Sequence, residues 1–178
     1  MRDLASYLGL HAGSLYHHIE NKQALLFELI ETGLSDLLLD TTHRMKGARS
    51  PGKRLRLFIQ AFVAFNFSER NKLALITREF ANLSEEQKDQ IQKLKDKYSS
   101  LLGAIISDEY GKAGMSAHDI RWTANTVIVL LFGQSQWYNE EMTEAQLTDA
   151  LTSLATCIIE NHKPTHKTVG ASLLAKNI

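Results

Sequence analysis

The chain has 178 residues, of which 44% are hydrophobic, 20 are Lys or Arg and 20 are Asp or Glu. This length and composition fit one or two small domains with ample apolar material for a core. No apolar run approaches the roughly 18 residues that a membrane helix needs, and no charged start precedes an apolar run as in a signal peptide. We therefore predict no membrane partner and a cytoplasmic location. The one cysteine, Cys157, lies in an apolar segment and is expected to be a small buried hydrophobe in a reducing compartment.

The first 26 residues predict two short helices joined by a tight turn and followed by a third helix. The first covers Arg2–Leu8, and Gly9 follows where a helix ends in the left-handed region that glycine enters cheaply. The second covers Ser14–Ile19, and Asn21 caps a third helix that begins at Lys22. Two short helices around such a turn are the arrangement that places a recognition helix in the DNA major groove.

Residues 9–25 also carry a specific motif. Residues 9–19 are GLHAGSLYHHI, and Asn21-Lys22 and Leu25 follow. This resembles the TetR family of bacterial repressors, whose pattern is Gly, aliphatic, Ser/Thr, variable, Gly/Pro, Thr/Ser, Leu/Ile, Tyr, variable, His/Tyr, Phe, variable, Ser/Asn, Lys. His11 departs from the pattern at the position of the capping Ser or Thr, and Ile19 replaces the usual Phe. The resemblance implies an N-terminal DNA-binding domain followed by a helical ligand-binding domain.

The beginning of the chain differs from that family pattern. The family's DNA-binding domain has a further helix before the segment that begins here, and Met1 falls where the family usually has an aliphatic residue such as Val. We expect that the chain is shortened or that its start codon is mis-assigned, with a naturally short variant as the alternative. A basic helix encoded just upstream of Met1 would support the first interpretation.

The predicted DNA contacts cluster at the start of the recognition helix. Small residues there let the backbone approach DNA, a hydroxyl, a phenol and an imidazole reach phosphates or base edges, and Lys22 is a natural phosphate contact. The alternative is that Tyr16 packs structurally and the histidines are merely solvated. Residues 1–50 hold five Lys or Arg against six acids, which indicates weak affinity. The predicted contacts are Arg2, His11, Ala12, Gly13, Ser14, Tyr16, His17 and Lys22.

The rest of the chain predicts helices at 3.6-residue spacing and no strand, so the predicted fold is an all-α bundle. Capping boxes at Ser84–Gln87 and Thr143–Gln146 mark two helix starts, and Ser50-Pro51 marks another. We predict three parts: a helix-turn-helix domain with its connecting helix over 1–46, a ligand-binding and dimerisation domain over 50–163, and a tail over 164–178. The predicted helices are Lys22–Met45, Pro51–Phe67, Lys72–Asn82, 85–112, Ala117–Asn139 and 144–161.

The second domain is rich in aromatic residues, which predicts a mostly apolar ligand cavity. Arg78 interrupts an apolar helix there, so it is expected either to hold an anionic group of a ligand or to pair with Glu79 or another nearby acid. Short matches at 78–80, 83–86 and 136–138 are similar to a TetR subgroup that senses acyl-CoA thioesters, which makes an acyl-CoA the first candidate effector. The predicted ligand-binding residues are Phe62, Phe65, Arg78, Trp122, Phe132 and Trp137.

No catalytic constellation or cofactor motif appears, so we predict neither an enzyme nor a cofactor. We also predict no metal, because the adjacent His17 and His18 point apart and Pro164 separates His162 from His166. The apolar stripe from Leu147 to Ile159 predicts a homodimer, which would present two recognition helices to a palindromic operator. The predicted function is therefore a ligand-responsive repressor on double-stranded DNA. The alternative is a helical ligand-binding or interaction module without DNA binding.

Overall fold

A computed structural model describes residues 12–110, 114–137 and 142–161, with side chains for 22–109, 114–135 and 142–161. These ranges contain six α-helices, a short 3₁₀ helix and no strand, which confirms the predicted all-α fold. None of the described helices is both long and apolar enough to cross a membrane. The helices are α1 (Ala12–Met45), α2 (Pro51–Ser68), α3 (Arg70–Arg78), α4 (Glu85–Tyr110), α5 (Ala117–Trp137) and α6 (Glu144–Asn161), with the 3₁₀ helix at Phe80–Asn82 between α3 and α4.

The start of α1 differs from the prediction. The sequence predicts a short helix over Ser14–Ile19 and a new one capped by Asn21, whereas α1 is continuous from Ala12 to Met45. Neither Gly nor Pro occurs between Ser14 and Lys22. Nothing in that stretch therefore interrupts the backbone hydrogen bonding of a helix, and Asn at an interior position costs only a fraction of 1 kcal/mol (about 0.7 at most). The predicted helix over Arg2–Leu8 lies outside the described residues.

The turn between α1 and α2 forms as its sequence predicts. Gly47 has φ of 81°, a left-handed conformation that ends α1 without steric cost. Ser50 caps α2, because its side chain accepts a hydrogen bond from the Lys53 backbone N–H at 3.3 Å, and Pro51 occupies the first helical position.

The second half of α1 packs into the same core as the later helices. Its buried residues in that core are Ile30, Leu34, Leu37 and Met45.

Local capping fixes the starts of α4, α5 and α6. Ser84 and Gln87 exchange backbone-to-side-chain hydrogen bonds of 3.0 and 3.3 Å, and Thr143 and Gln146 do the same at 2.9 and 3.3 Å. Both predicted capping boxes are thus confirmed. A third reciprocal pair joins Ser116 and Asp119, whose carboxylate accepts from the Ser116 hydroxyl at 2.7 Å. That hydrogen bond lowers the pKa of Asp119.

Helix α2 forms the centre of the bundle. Its inward side buries Phe58, Ile59, Phe62 and Val63 completely, and the helix packs against α1, α4 and α6. Two arginines on its outer side form ion pairs with neighbouring helices, Arg54 with Asp108 of α4 and Arg56 with Asp149 of α6. Since both pairs are at least partly exposed to water, burial of the aromatic and aliphatic side chains contributes most of the stability of this packing.

Gly33 lets α1 and α3 approach closely. A methyl group on its Cα would lie 3.2 Å from Ile76 Cδ1 and 3.5 Å from Lys72 Cβ. We expect Gly33→Val to destabilise the protein by about 1–3 kcal/mol, because the branched side chain meets both neighbours in a filled space. Gly33→Ala should change the free energy of unfolding by less than about 1 kcal/mol, since its gain in helix propensity offsets a small shift of Ile76. Urea denaturation measures both, and a neutral Gly33→Val would show that the helices are not so closely packed.

Candidate functional site

A cavity of about 590 Å³ lies between α1, α3, α4 and α5. This volume is within the range of small-molecule sites in proteins, roughly 300–1,000 Å³. Its wall has an apolar part and a polar part. The apolar part consists of Leu34, Ile76, Phe80, Ile128, Val129 and Phe132, and the polar part includes Thr77, Gln92, Lys95, Asp96, Ser99 and Asn125.

Aromatic rings line and support the apolar part of the cavity. Tyr98, which also lines it, stacks on Phe58 with ring centroids 4.7 Å apart and meets Phe132 edge-on at 6.4 Å. Phe62 lies behind Phe132, with ring centroids 5.1 Å apart. Burial raises the pKa of Tyr98, so its phenol stays neutral and the cavity floor carries no charge.

Lys95 is the cationic residue of this lining. Its Nζ lies 3.6 Å from the centroid of the Phe80 ring, within cation–π distance. The neighbouring carboxylate of Asp96 accepts a hydrogen bond from Gln92 at 2.8 Å. Across the cavity rim, the Ser99 hydroxyl donates to the Asn125 side-chain oxygen at 2.6 Å. The polar groups at the rim are thus mostly paired with one another, whereas Lys95 has an aromatic face as its neighbour.

The structure places the predicted ligand-binding residues in different surroundings. Phe132 lines the cavity, and Phe62 and Phe65 are buried in the core beside or beyond it. Trp122 is 61% exposed on α5, away from the cavity lining. The side chain of Trp137 lies outside the described residues.

Arg78 does not line the cavity. It is exposed at the end of α3, two residues after Ile76, which does line it. Two residues correspond to about 200° around a helix axis, so the two side chains point in nearly opposite directions. Within the described part of the chain Arg78 forms no ion pair either, and the Glu79 carboxylate accepts instead from Asn82 at 2.7 Å.

The sequence did not lead us to predict Lys95 as a cavity residue, although its spacing along the helix indicated that position. Ile91, Lys95 and Tyr98 follow one another at the i, i+4, i+7 spacing of a single helix face. Ile91 and Tyr98 are buried, so Lys95 lies on the inward face of α4 and is itself half-buried. A lysine within a buried stripe therefore indicated the cavity better than an arginine in a short apolar helix.

A second depression lies between α5 and α6 and is lined mainly by apolar side chains. Its volume is about 510 Å³, and Val129, Gly133, Met142, Ala150 and Leu154 contribute to it. Val129 is 70% exposed and Leu154 is 50% exposed. The middle of α5 is apolar nearly all round, yet the outer side of this helix has no cover within the described chain.

The described part of the predicted DNA-binding segment is limited to the backbone of α1 from Ala12 and to the side chain of Lys22. Lys22 is exposed on α1, ten residues after the first residue of that helix. Arg2 and His11 lie outside the described residues, as do the side chains of Ala12, Gly13, Ser14, Tyr16 and His17. The described residues contain no group of three or more His, Cys, Asp or Glu positioned to hold a metal ion.

Helix α1 joins the predicted DNA-binding segment to the cavity. Leu34 of this helix lines the cavity, and Gly33 beside it faces Ile76, another lining residue, at the close approach to α3. Lys72 of α3 lies 3.6 Å from Asp36 of α1 and 3.3 Å from Glu69. A displacement of α3 would therefore act directly on α1.

A family model decides which family this chain belongs to. The model described as "Tetracyclin repressor-like, C-terminal domain" matches residues 48–159. The chain belongs to the TetR family. A comparison with curated protein sequences gives no match.

Solved TetR-family structures share this fold. A regulatory protein in the tetR family from Rhodococcus RHA1 is 20% identical, with a TM-score of 0.71 over 89% of this chain and 84% of the other. PfmR, a TetR family transcriptional regulator from Thermus thermophilus, is 23% identical, with a TM-score of 0.66 over 89% and 86%. AibR, solved in complex with isovaleryl coenzyme A and operator DNA, is 22% identical, with a TM-score of 0.66 over 86% and 84%.

Proposed function

We propose that this TetR-family protein is a homodimeric, ligand-responsive DNA-binding regulator, a repressor that leaves its operator when a small, mostly apolar effector binds. The observation that carries the proposal is the cavity of about 590 Å³ whose wall includes Leu34 of α1, the helix that continues from the recognition motif. A regulator of this kind works beside the chromosome, in the cytoplasm, and needs no catalytic group.

The proposed mechanism is a shift between two conformations. An effector that fills the cavity contacts Ile76 and Thr77 of α3 and Leu34 of α1. It favours the conformation in which the two recognition helices of a dimer no longer match successive major grooves. The effector need only bind that conformation more tightly than the DNA-bound one, and the difference in affinity sets how far operator binding falls.

An acyl-CoA thioester is our first candidate effector. The structure of AibR with isovaleryl coenzyme A and operator DNA shows that one protein of this fold binds both kinds of partner. The short matches to the acyl-CoA-sensing subgroup at 78–80 and 83–86 support the same choice, as does the apolar part of the cavity, which would bind the acyl group.

The DNA-binding proposal is tested with the protein expressed together with any coding sequence upstream of Met1. We expect it to bind a palindromic site in the promoter beside its own gene at about 100 mM salt. Tyr16→Ala should weaken operator binding by about 1–3 kcal/mol. Lys22→Ala should weaken binding to all DNA sequences, and it should reduce by about 1 the slope of the logarithm of the binding constant against the logarithm of the salt concentration. Fluorescence anisotropy across a salt series measures both quantities.

Lys46→Ala is the matched control for Lys22→Ala. Lys46 is also exposed and directly follows the C-terminal end of α1, roughly 35 Å from Lys22 along the helix axis. It should leave operator affinity unchanged. If the protein binds no operator at all, the repressor proposal is wrong, and the alternative of a helical ligand-binding or interaction module takes its place.

A further inference from the structure

We propose that the cavity binds an amphipathic anion, with the anionic group held by Lys95 at the polar rim and the apolar chain packed against Ile76, Ile128 and Phe132. This inference rests on the proposed function and names the ligand class of the same cavity. It also replaces Arg78 with Lys95 as the residue that recognises the charge.

The position of Lys95 fits this role. It lies on α4 between the exposed side chains of Gln92 and Asp96 and the buried ring of Tyr98, so its ammonium group is where the lining changes from polar to apolar. A ligand with one charged end and one apolar end can satisfy both parts of that wall at once.

The lining holds one cation and one carboxylate, and an anion is favoured only beside Lys95. Lys95 forms no ion pair within the described chain, and its Nζ contacts the face of the Phe80 ring at 3.6 Å. Asp96, the one acidic residue of the lining, is hydrogen-bonded to Gln92. A carboxylate or phosphate beside the ammonium would gain a charge-assisted hydrogen bond in a site that is partly withdrawn from water.

Burial lowers the pKa of Lys95, because partial removal from water disfavours the charged ammonium. An anionic group beside the ammonium would offset that cost. A neutral hydrophobe of the same length would fill the apolar part of the cavity but would give the Lys95 ammonium no anionic partner.

The ligand class is tested by isothermal titration with four probes: decanoate, decanoyl-CoA, decanol and free CoA. Decanoate and decanoyl-CoA both combine an apolar chain with anionic groups, a carboxylate directly on the chain in decanoate and phosphates beyond the pantetheine arm in decanoyl-CoA, so the comparison between them shows which of the two arrangements the cavity accepts. We expect one or both to bind at least tenfold more tightly than decanol. Free CoA should bind more weakly than decanoyl-CoA, because it lacks the chain.

Lys95→Met removes the charge but keeps an unbranched apolar side chain of similar length. It should weaken binding of the preferred anion about 10- to 100-fold and leave decanol binding unchanged, whereas Lys95→Arg should retain most of the affinity. Lys93→Met is the matched control, because Lys93 is exposed on the same helix and does not line the cavity. Arg78→Ala should have no effect.

The inference is overturned if decanol binds as tightly as both anions, if neither anion binds, or if Lys95→Met binds the preferred anion as well as the wild type does. These outcomes remain separate from the proposed function. If a neutral hydrophobe releases the operator, the proposed regulator function stands and the proposed anionic ligand is wrong. If the protein binds no operator under any condition, the proposed regulator function itself is wrong.

Discussion

Leu154→Glu is expected to convert a dimer into a monomer at micromolar concentration. Leu154 is 50% exposed on α6 and lies beside Val129, which is 70% exposed on α5. In a two-fold symmetric dimer through these two helices, each copy would place a carboxylate in an apolar interface, so the cost is counted twice. An unpaired buried charge is expensive enough to raise the dimer dissociation constant by about 100-fold or more. Sedimentation velocity measures the result directly.

Two variants make this experiment decisive. Leu39→Glu is the matched control, since Leu39 is 59% exposed on α1, which is not one of the two helices of the proposed interface, and should leave the dimer intact. Leu151→Glu acts differently: Leu151 is 2% exposed in the chain's own core, so the variant should lose helical circular dichroism instead of only dissociating. A wild-type protein that is monomeric at micromolar concentration would contradict the proposed dimer.

The apolar stripe of α6 shows what sequence periodicity can and cannot predict. The spacing from Leu147 to Ile159 correctly predicts an amphipathic helix. In the structure the stripe has two sides, since Leu147, Leu151, Ala155 and Ile159 are buried within the chain while Leu154 is exposed. Periodicity gives the direction of apolar residues around the axis, but it does not distinguish the chain's own core from the surface offered to a partner.

The same limit explains why Cys157 was predicted wrongly. A cysteine within an apolar helix was expected to be buried, and it is exposed on α6, three residues after Leu154.

The helix caps, by contrast, were predicted correctly. Ser50, Ser84 and Thr143 cap the helices as predicted, because a cap depends on residues only three positions apart.

The candidate cavity depends on packing between distant segments. Leu34, Ile76, Lys95 and Phe132 belong to four different helices and meet only after the bundle forms. The composition of the second domain was sufficient to predict that an apolar cavity would exist. It was not sufficient to predict that Lys95 lines this cavity and Arg78 does not, because the lining depends on which face of each helix turns inward.

Phe62→Ala is expected to destabilise the protein by about 3–5 kcal/mol, because it removes a completely buried ring from the centre of α2. Phe132→Ala should cost less, since Phe132 is only partly buried and lines the cavity, and the space it leaves is continuous with the cavity. Phe67→Ala is the control, because Phe67 is 47% exposed at the end of α2, the helix that carries Phe62. Its loss should cost less than about 1 kcal/mol. Urea denaturation of the unliganded proteins measures all three values.

Phe62 and Phe132 were both predicted to bind ligand, and we now expect their alanine variants to differ in ligand affinity. In the conditions where each variant is folded, Phe132→Ala should weaken decanoate or decanoyl-CoA binding, because the ring forms part of the apolar wall. Phe62 supports that ring from behind at 5.1 Å between centroids, so its truncation should act mainly through stability. A Phe62→Ala protein that is as stable as the wild type but has lost ligand binding would show that the ring of Phe62 contacts the ligand, and that the cavity extends into the core between α2 and α5.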